Sequence, residues 1–190
     1  MKHGLVFYTC RTEFDENAIR LMFKTEYFTY EKKLLLMRVA FAAVLLAVGM
    51  LTRLPIGVRI LCMLVGVWLL VAMDFPSKVR AEGVIQRRGG TTSQVHLTFN
   101  DTEIQVEQRQ RIPYASVDRL VEDDAYFIIF QNKQTAVMAA KAGLEPCDPD
   151  AFRAFIEKKT GKEFGRNVNL LSMNLFDLLG SVKGKKRTKR

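Results

Sequence analysis

Histidine and cysteine are scarce in this chain. Two histidines (His3 and His96) and three cysteines (Cys10, Cys62 and Cys147) are scattered over 190 residues. No spacing among them makes a metal site or a disulfide framework. An odd, dispersed cysteine set suits a reducing compartment. The chain also lacks G-x-x-x-x-G-K-[ST], H-E-x-x-H and G-x-S-x-G. Gly89-Gly90 alone marks a turn. Glu122, Asp123 and Asp124 read as a turn of solvated carboxylates, and His96 as a surface histidine on the wet side of a strand. No residue is therefore assigned to catalysis, to a cofactor or to a metal, and the expectation is a protein that is not an enzyme.

Polar residues are missing from two long runs. The first, Leu34–Leu51, contains only Arg38; the second, Ile56–Met73, contains only Arg59. Each has about 18 residues, on the order of 27 Å as helix, which just covers a hydrocarbon core of roughly 30 Å. A soluble helix carries a polar face, and neither run does. Pro55 ends the first helix at Leu54. Both arginines lie near run ends, where they can snorkel; at the bilayer centre each would cost about 2.5–3.5 kcal/mol. Trp68 is either lipid-facing or packed on the first helix. The reading is a transmembrane hairpin over 34–75, with spans 34–51 and 56–73.

Lysine and arginine flank the hairpin unequally. Lys24, Lys32, Lys33 and Arg38 precede it and Lys78, Arg80, Arg87 and Arg88 follow it, against Arg53 and Arg59 at the turn. That bias places both termini in the cytoplasm of a multi-pass protein in the inner (plasma) membrane. The net charge of +9 points to an anionic membrane surface rather than to nucleic acid.

About 150 residues remain outside the hairpin, enough for one small domain and its termini. Residues 1–33 read as a short strand, Gly4–Cys10, and a juxtamembrane helix from Asn17 to Glu31 capped by Asp15, which either lies in the membrane interface or packs on the cytoplasmic domain. Residues 78–88 fit either a continued helix or a strand. Residues 76–162 then read as a strand-dense domain. Val95, Leu97 and Phe99 alternate with polar residues, a turn follows at Asn100-Asp101, and Ile104 and Val106 alternate again. Tyr126–Phe130 is a continuous apolar strand with Thr135–Ala140 as partner. Asp150 is placed to cap a closing helix, Ala151–Thr160, which Gly161 ends. Strands closed by one amphipathic helix make an α+β pattern.

The segments VHLTFNDTEIQVE, IPYASVDRLVED, YFIIFQNKQTAVMAAKAGL and DPDAFRAFIEKKTGK carry a resemblance. Ile112, Tyr114, Val117, Leu120 and Glu122 fit I-x-Y-x-x-[IV]-x-x-[LV]-x-E. They precede an apolar strand, a Lys-x-Gly-Leu end at Lys141, Gly143 and Leu144, and a D-x-x-x-F-x-x-F-I helix. From Gly4 to Lys162 the chain resembles the bacterial YcxB-like membrane proteins. The resemblance implies a cytoplasmic domain with a pleckstrin-homology-like barrel and implies no reaction. The strand AVMAAK departs from the family pattern, and the tail beyond Lys162 has no counterpart.

In that tail, residues 163–190, Val168, Leu171, Leu175, Leu178, Leu179 and Val182 recur at helical spacing before a basic cluster. The membrane-surface candidates are accordingly Lys78, Arg80, Arg87 and Arg88, with Lys183, Lys185, Lys186, Arg187, Lys189 and Arg190. The expected partners are the bilayer, anionic lipid headgroups and an unidentified protein. The alternative is a homo-oligomeric transport or pore assembly, with Gly49, Gly57 and Gly66 allowing close helix contacts.

Overall fold

The structure is a computed structural model and describes residues 5–107 and 110–166. The elements run β1 (Val6–Phe14), α1 (Glu16–Tyr30), α2 (Lys32–Leu51), α3 (Ile56–Val71), α4 (Phe75–Arg88), β2 (Ser93–Asn100), β3 (Glu103–Val106) and β4 (Gln110–Pro113). They continue with β5 (Arg119–Glu122), β6 (Tyr126–Phe130), β7 (Ala136–Ala140), β8 (Leu144–Glu145), α5 (Pro149–Thr160) and β9 (Phe164–Arg166). The class is α+β, as the sequence predicts. One sheet has the order β4-β3-β2-β1-β8 and the other β7-β6-β5-β9.

The first strand changes the expected organisation. It extends to Phe14, beyond the predicted end at Cys10, because β2 pairs along its length, from Val6 opposite Asn100 to Phe14 opposite Ser93. On its other side Thr9 and Cys10 pair with Glu145 and Leu144. The strand Val6–Phe14 therefore does not stand apart from the strands that follow the helices. Strand β1 is internal to the larger sheet, and the four helices α1–α4 are an insertion between two adjacent strands.

The core lies between the sheets and under α5. Phe152 of α5 is fully buried and meets the rings of Tyr8, Phe99 and Phe127 at centroid distances of 5.2, 4.8 and 5.1 Å. Leu97, Ile104, Ile112, Leu120, Ile129 and Ile156 complete it. The opposite face of the larger sheet carries Arg11, Glu13 and His96, all exposed, so this antiparallel sheet has one dry and one wet face. The smaller sheet is covered on both. Its second face (Val121, Ile128, Phe130 and Met138) packs on Ala18, Leu21 and Met22 of α1. Burial on both sides explains why β6 reads YFIIF without alternation.

Residues 75–88 are helix, which settles the open choice between helix and strand. One face of α4, Ala81 and Ile85, packs on Ile19 and Phe23 of α1, and Gly89 ends it in the left-handed region at φ 62°. The cap of α1 is Asp15, which accepts from Ala18 N at 2.7 Å. The cap of α5 is Asp148, not Asp150: its Oδ1 accepts from Ala151 N at 3.0 Å, and Pro149 occupies the first helical position. Proline there loses no helical hydrogen bond, so the helix begins two residues earlier than expected, and Asp150 falls in its first turn.

A fragment starting at residue 76 lacks β1 and leaves β2 and β8 without their shared neighbour. Far-UV circular dichroism and thermal melting of that fragment should show no cooperative unfolding. A chain that keeps residues 5–31 and 75–166 and replaces the intervening helices with a short Gly-Ser loop should melt cooperatively.

Candidate functional site

The most distinctive surface is the insertion itself. Helices α2 and α3 lie against each other through small residues: Ala42, Gly49 and Gly66 are buried. A Cβ on Gly49 would sit 2.8 Å from Met63 Cγ and 3.1 Å from Arg59 O, and one on Gly66 3.0 Å from Leu46 Cγ. Two of the three glycines expected to serve contacts between hairpins are thus spent inside one hairpin; a Cβ on Gly57 meets nothing within 4 Å.

The arginine in each apolar run ties one helix to the other. Arg59 Nε donates to Gly49 O at 2.9 Å, in the last turn of α2. Arg38 Nη1 donates to Met73 O at 3.4 Å, just past the end of α3. A helix C-terminus leaves carbonyls without intrahelical partners and carries partial negative charge, which suits a guanidinium. Away from this contact the two helices expose Leu36, Met37, Phe41, Met50, Leu51, Ile56, Leu61 and Leu64. Trp68 is 62% exposed, so it faces outward rather than onto α2. Helix α2, near the N-terminus, is long and apolar enough to span a membrane; α3 meets the same test only together with α4, from which it is bent by 51°.

The insertion is fastened to the sheets by α1. Tyr30 Oη donates to Asp118 Oδ2 at 2.7 Å, and Arg119 Nη1 donates to Thr29 O at 3.1 Å. The Arg119 guanidinium also lies 5.0 Å from the Tyr30 ring centroid. Burial and the neighbouring Asp118 carboxylate hold the Tyr30 phenol well above its ordinary pKa. Glu31 pairs with Lys133 in the β6–β7 turn. Helix α4 is joined to α1 by Arg80–Glu26 at 3.3 Å and Glu82–Arg20 at 3.3 Å. Burial raises the Glu26 carboxyl above its usual pKa, with Arg80 and Lys133 opposing.

The predicted surface cations therefore divide. Lys78 is exposed beside Asp74 at 3.1 Å, near the start of α4. Arg80 is engaged by Glu26. Arg87 and Arg88 sit in the last turn of α4, where Arg88 Nη1 donates to Ser93 Oγ at 3.3 Å. The tail candidates Lys183, Lys185, Lys186, Arg187, Lys189 and Arg190 lie outside the described residues. Lys32 and Lys33, exposed at the first turn of α2, join Lys78 at the root of the hairpin. Sequence reasoning used them for orientation only.

A second cluster joins β5, β7 and α5. Glu122 Oε1 accepts from Lys141 Nζ at 2.7 Å, and its Oε2 lies 3.3 Å from Arg153 Nη1. Arg153 Nε pairs in turn with Glu157, whose Oε1 accepts from Phe164 N at 2.8 Å. Lys141 Nζ lies 4.8 Å from the Phe127 ring centroid. Next to it, Gly143 passes so close to β1 that a Cβ would stand 2.0 Å from Arg11 O. Glu122, Lys141 and Gly143 thus hold strand ends together, and the turn carboxylate Glu122 is paired rather than free.

A cleft of about 390 Å³ opens on the wet side of β1 beside Arg11, Glu13, Gln94, Tyr126, Ala140 and Gly143. Glu13 accepts from Gln94 Nε2 at 3.0 Å. The lining has no serine, cysteine or histidine to act as a nucleophile–base pair. Among the described residues no three His, Cys, Asp or Glu side chains gather as a metal site.

These features define a small α+β domain whose smaller sheet is tied to α5 by an ion-pair cluster and whose larger sheet is interrupted by a helical insertion. The family model described as YcxB-like protein matches residues 99–156, so the chain carries a YcxB-like domain. The match runs from the end of β2 into α5 and includes Glu122, Lys141 and Gly143; β1, the insertion and β9 lie outside it. No curated protein and no solved structure matches the chain.

Gly143→Ala should cost about 2 kcal/mol by forcing the 141–143 turn away from β1, seen as a lowered denaturation midpoint of the detergent-solubilised protein. Glu122→Gln should cost about 1–2 kcal/mol, since Lys141 and Arg153 lose the carboxylate charge they share and only one amide oxygen remains to accept. Lys141→Met should cost less once Glu122 is already Gln, and a double-mutant cycle in chemical denaturation measures that coupling.

Proposed function

We propose that this protein is a non-enzymatic, multi-pass integral membrane protein. In this reading α2 and α3 cross the bilayer as a hairpin, and a pleckstrin-homology-like domain sits at the cytoplasmic face to bind a lipid headgroup or a protein partner. The observation that carries the reading is the outward apolar surface of α2 and α3, on a domain whose large apolar side chains outside the stretch from α2 to α4 are exposed, among the described residues, only at Leu5, Val6 and Phe7. An apolar surface of that extent marks a membrane or protein interface.

Connectivity supports two crossings rather than one. Phe14 and Ser93 face each other across β1 and β2, so the chain leaves and rejoins one sheet at one place. If α2 crosses, the chain must cross back. At 16 residues, α3 spans about 24 Å, which a slightly thinned bilayer accommodates. The strand order β1-β2-β3-β4, the second meander β5-β6-β7 and the closing helix α5 support the pleckstrin-homology-like assignment. The excess of lysine and arginine at the hairpin's root supports a cytoplasmic domain.

The geometry also ranks the headgroup candidates. With α3 along the membrane normal, a 51° bend carries Arg88 about 12 Å farther from the bilayer than Phe75. That exceeds the roughly 8 Å over which charges act at physiological ionic strength. Lys32, Lys33 and Lys78 are the better-placed contacts.

Sealed spheroplasts treated with a membrane-impermeant maleimide test the arrangement. Cys147 is exposed on the domain and should react only after lysis, whereas Arg53→Cys, in the α2–α3 turn, should react from outside. The reverse pattern contradicts the reading, as does release of the protein by alkaline carbonate.

A further inference from the structure

The apolar surface does not stop at the end of α3. Trp68, Val71, Phe75 and Val79 recur at spacings of three and four and are 62%, 77%, 57% and 54% exposed. The last two belong to α4, on the side away from Ala81 and Ile85, which pack on α1. The stripe ends there: Glu82 and Gln86, the next residues on that side, are polar and exposed. The outer face of α4 is therefore apolar for its first two turns and polar for its last two. Lys78, with its side chain 66% exposed, flanks the apolar half. A helix leaving a bilayer at an angle needs this division, with side chains graded by depth.

We infer that the first two turns of α4 are a membrane-interfacial element, with Phe75 and Val79 seated in the boundary between headgroups and acyl chains and Lys78 facing lipid phosphate. The occupant of this face is the bilayer, because exposed apolar residues run on from the outer side of α3 across the 72–74 turn into α4, with the charge at the edge. The inference rests on the hairpin reading and adds to it a fixed attitude. With α4 held at the interface and α1 packed along it, the domain is set at one angle to the membrane rather than swinging on a loop.

The chain has a single tryptophan, so fluorescence reads one place at a time. The full-length protein is reconstituted in phosphatidylcholine–phosphatidylglycerol vesicles containing lipid brominated near either the headgroup or the chain ends. Trp68 emission should be quenched by bromolipid and not by aqueous iodide. In a Trp68→Phe background, Phe75→Trp and separately Val79→Trp should lose emission to headgroup-proximal bromine and resist iodide. Gln86→Trp should respond to iodide alone. If residues 75 and 79 respond to iodide as residue 86 does, α4 stands clear of the bilayer and the inference is overturned while the hairpin stands. Shielding from both quenchers means that a protein or a second copy covers this face, and also overturns it. If Trp68 itself escapes bromolipid, the hairpin reading fails first.

Discussion

The pairing of β1 with β2 is the constraint on which the rest of this structure depends. The two strands are neighbours in one sheet, yet four helices separate them in sequence. Every residue between Phe14 and Ser93 must leave that end of the sheet and come back to it. Such an excursion closes when helices pair antiparallel, and they do: α1 with α4 near the sheets and α2 with α3 beyond them. The loop-closure entropy of so long an excursion is offset by packing at each level.

That packing is graded with distance from the sheet. Next to it, α1 covers an otherwise bare face of β5, β6 and β7 and is pinned at its end by Tyr30, Thr29 and Glu31. One layer out, Ala81 and Ile85 of α4 rest on Ile19 and Phe23. Farther out, the sheets contribute nothing. There α2 and α3 depend on glycine and alanine for close approach and on two arginines that answer carbonyls at helix ends. Helices without a mutual hydrophobic drive associate in this way in lipid.

The elements visible in the sequence were those whose signal is local. The apolar runs, Asp15 as a cap and the alternation in β2 and β3 need no knowledge of the rest of the chain. What stayed hidden depends on residues far away. Nothing near Val6 says that its strand pairs with residues beyond the insertion. Val79 lies on the exposed side of α4 while Val84 and Ile85 belong to the side packed on α1, which blurs the period. Glu122 looks like one of three turn carboxylates until β7 and α5 bring Lys141 and Arg153 to it. Gly143 shows in the sequence only as part of a Lys-x-Gly-Leu end, and its role appears only where the backbone of β1 passes it. Asp148 was within reach, since Asp followed by Pro is itself a helix-start signal.

Both feet of the helical insertion stand on one sheet, and in the proposed arrangement that puts them on one side of the membrane. Glu13 and Gln94 lie opposite each other on the solvated face of that sheet. Glu13→Cys with Gln94→Cys, oxidised in the native membrane, tests the claim most directly. The account predicts a disulfide within the chain, absent from a Glu13→Cys, Gln105→Cys control. Failure of the first pair to join, with its two thiols labelled from opposite sides of the membrane, would contradict it.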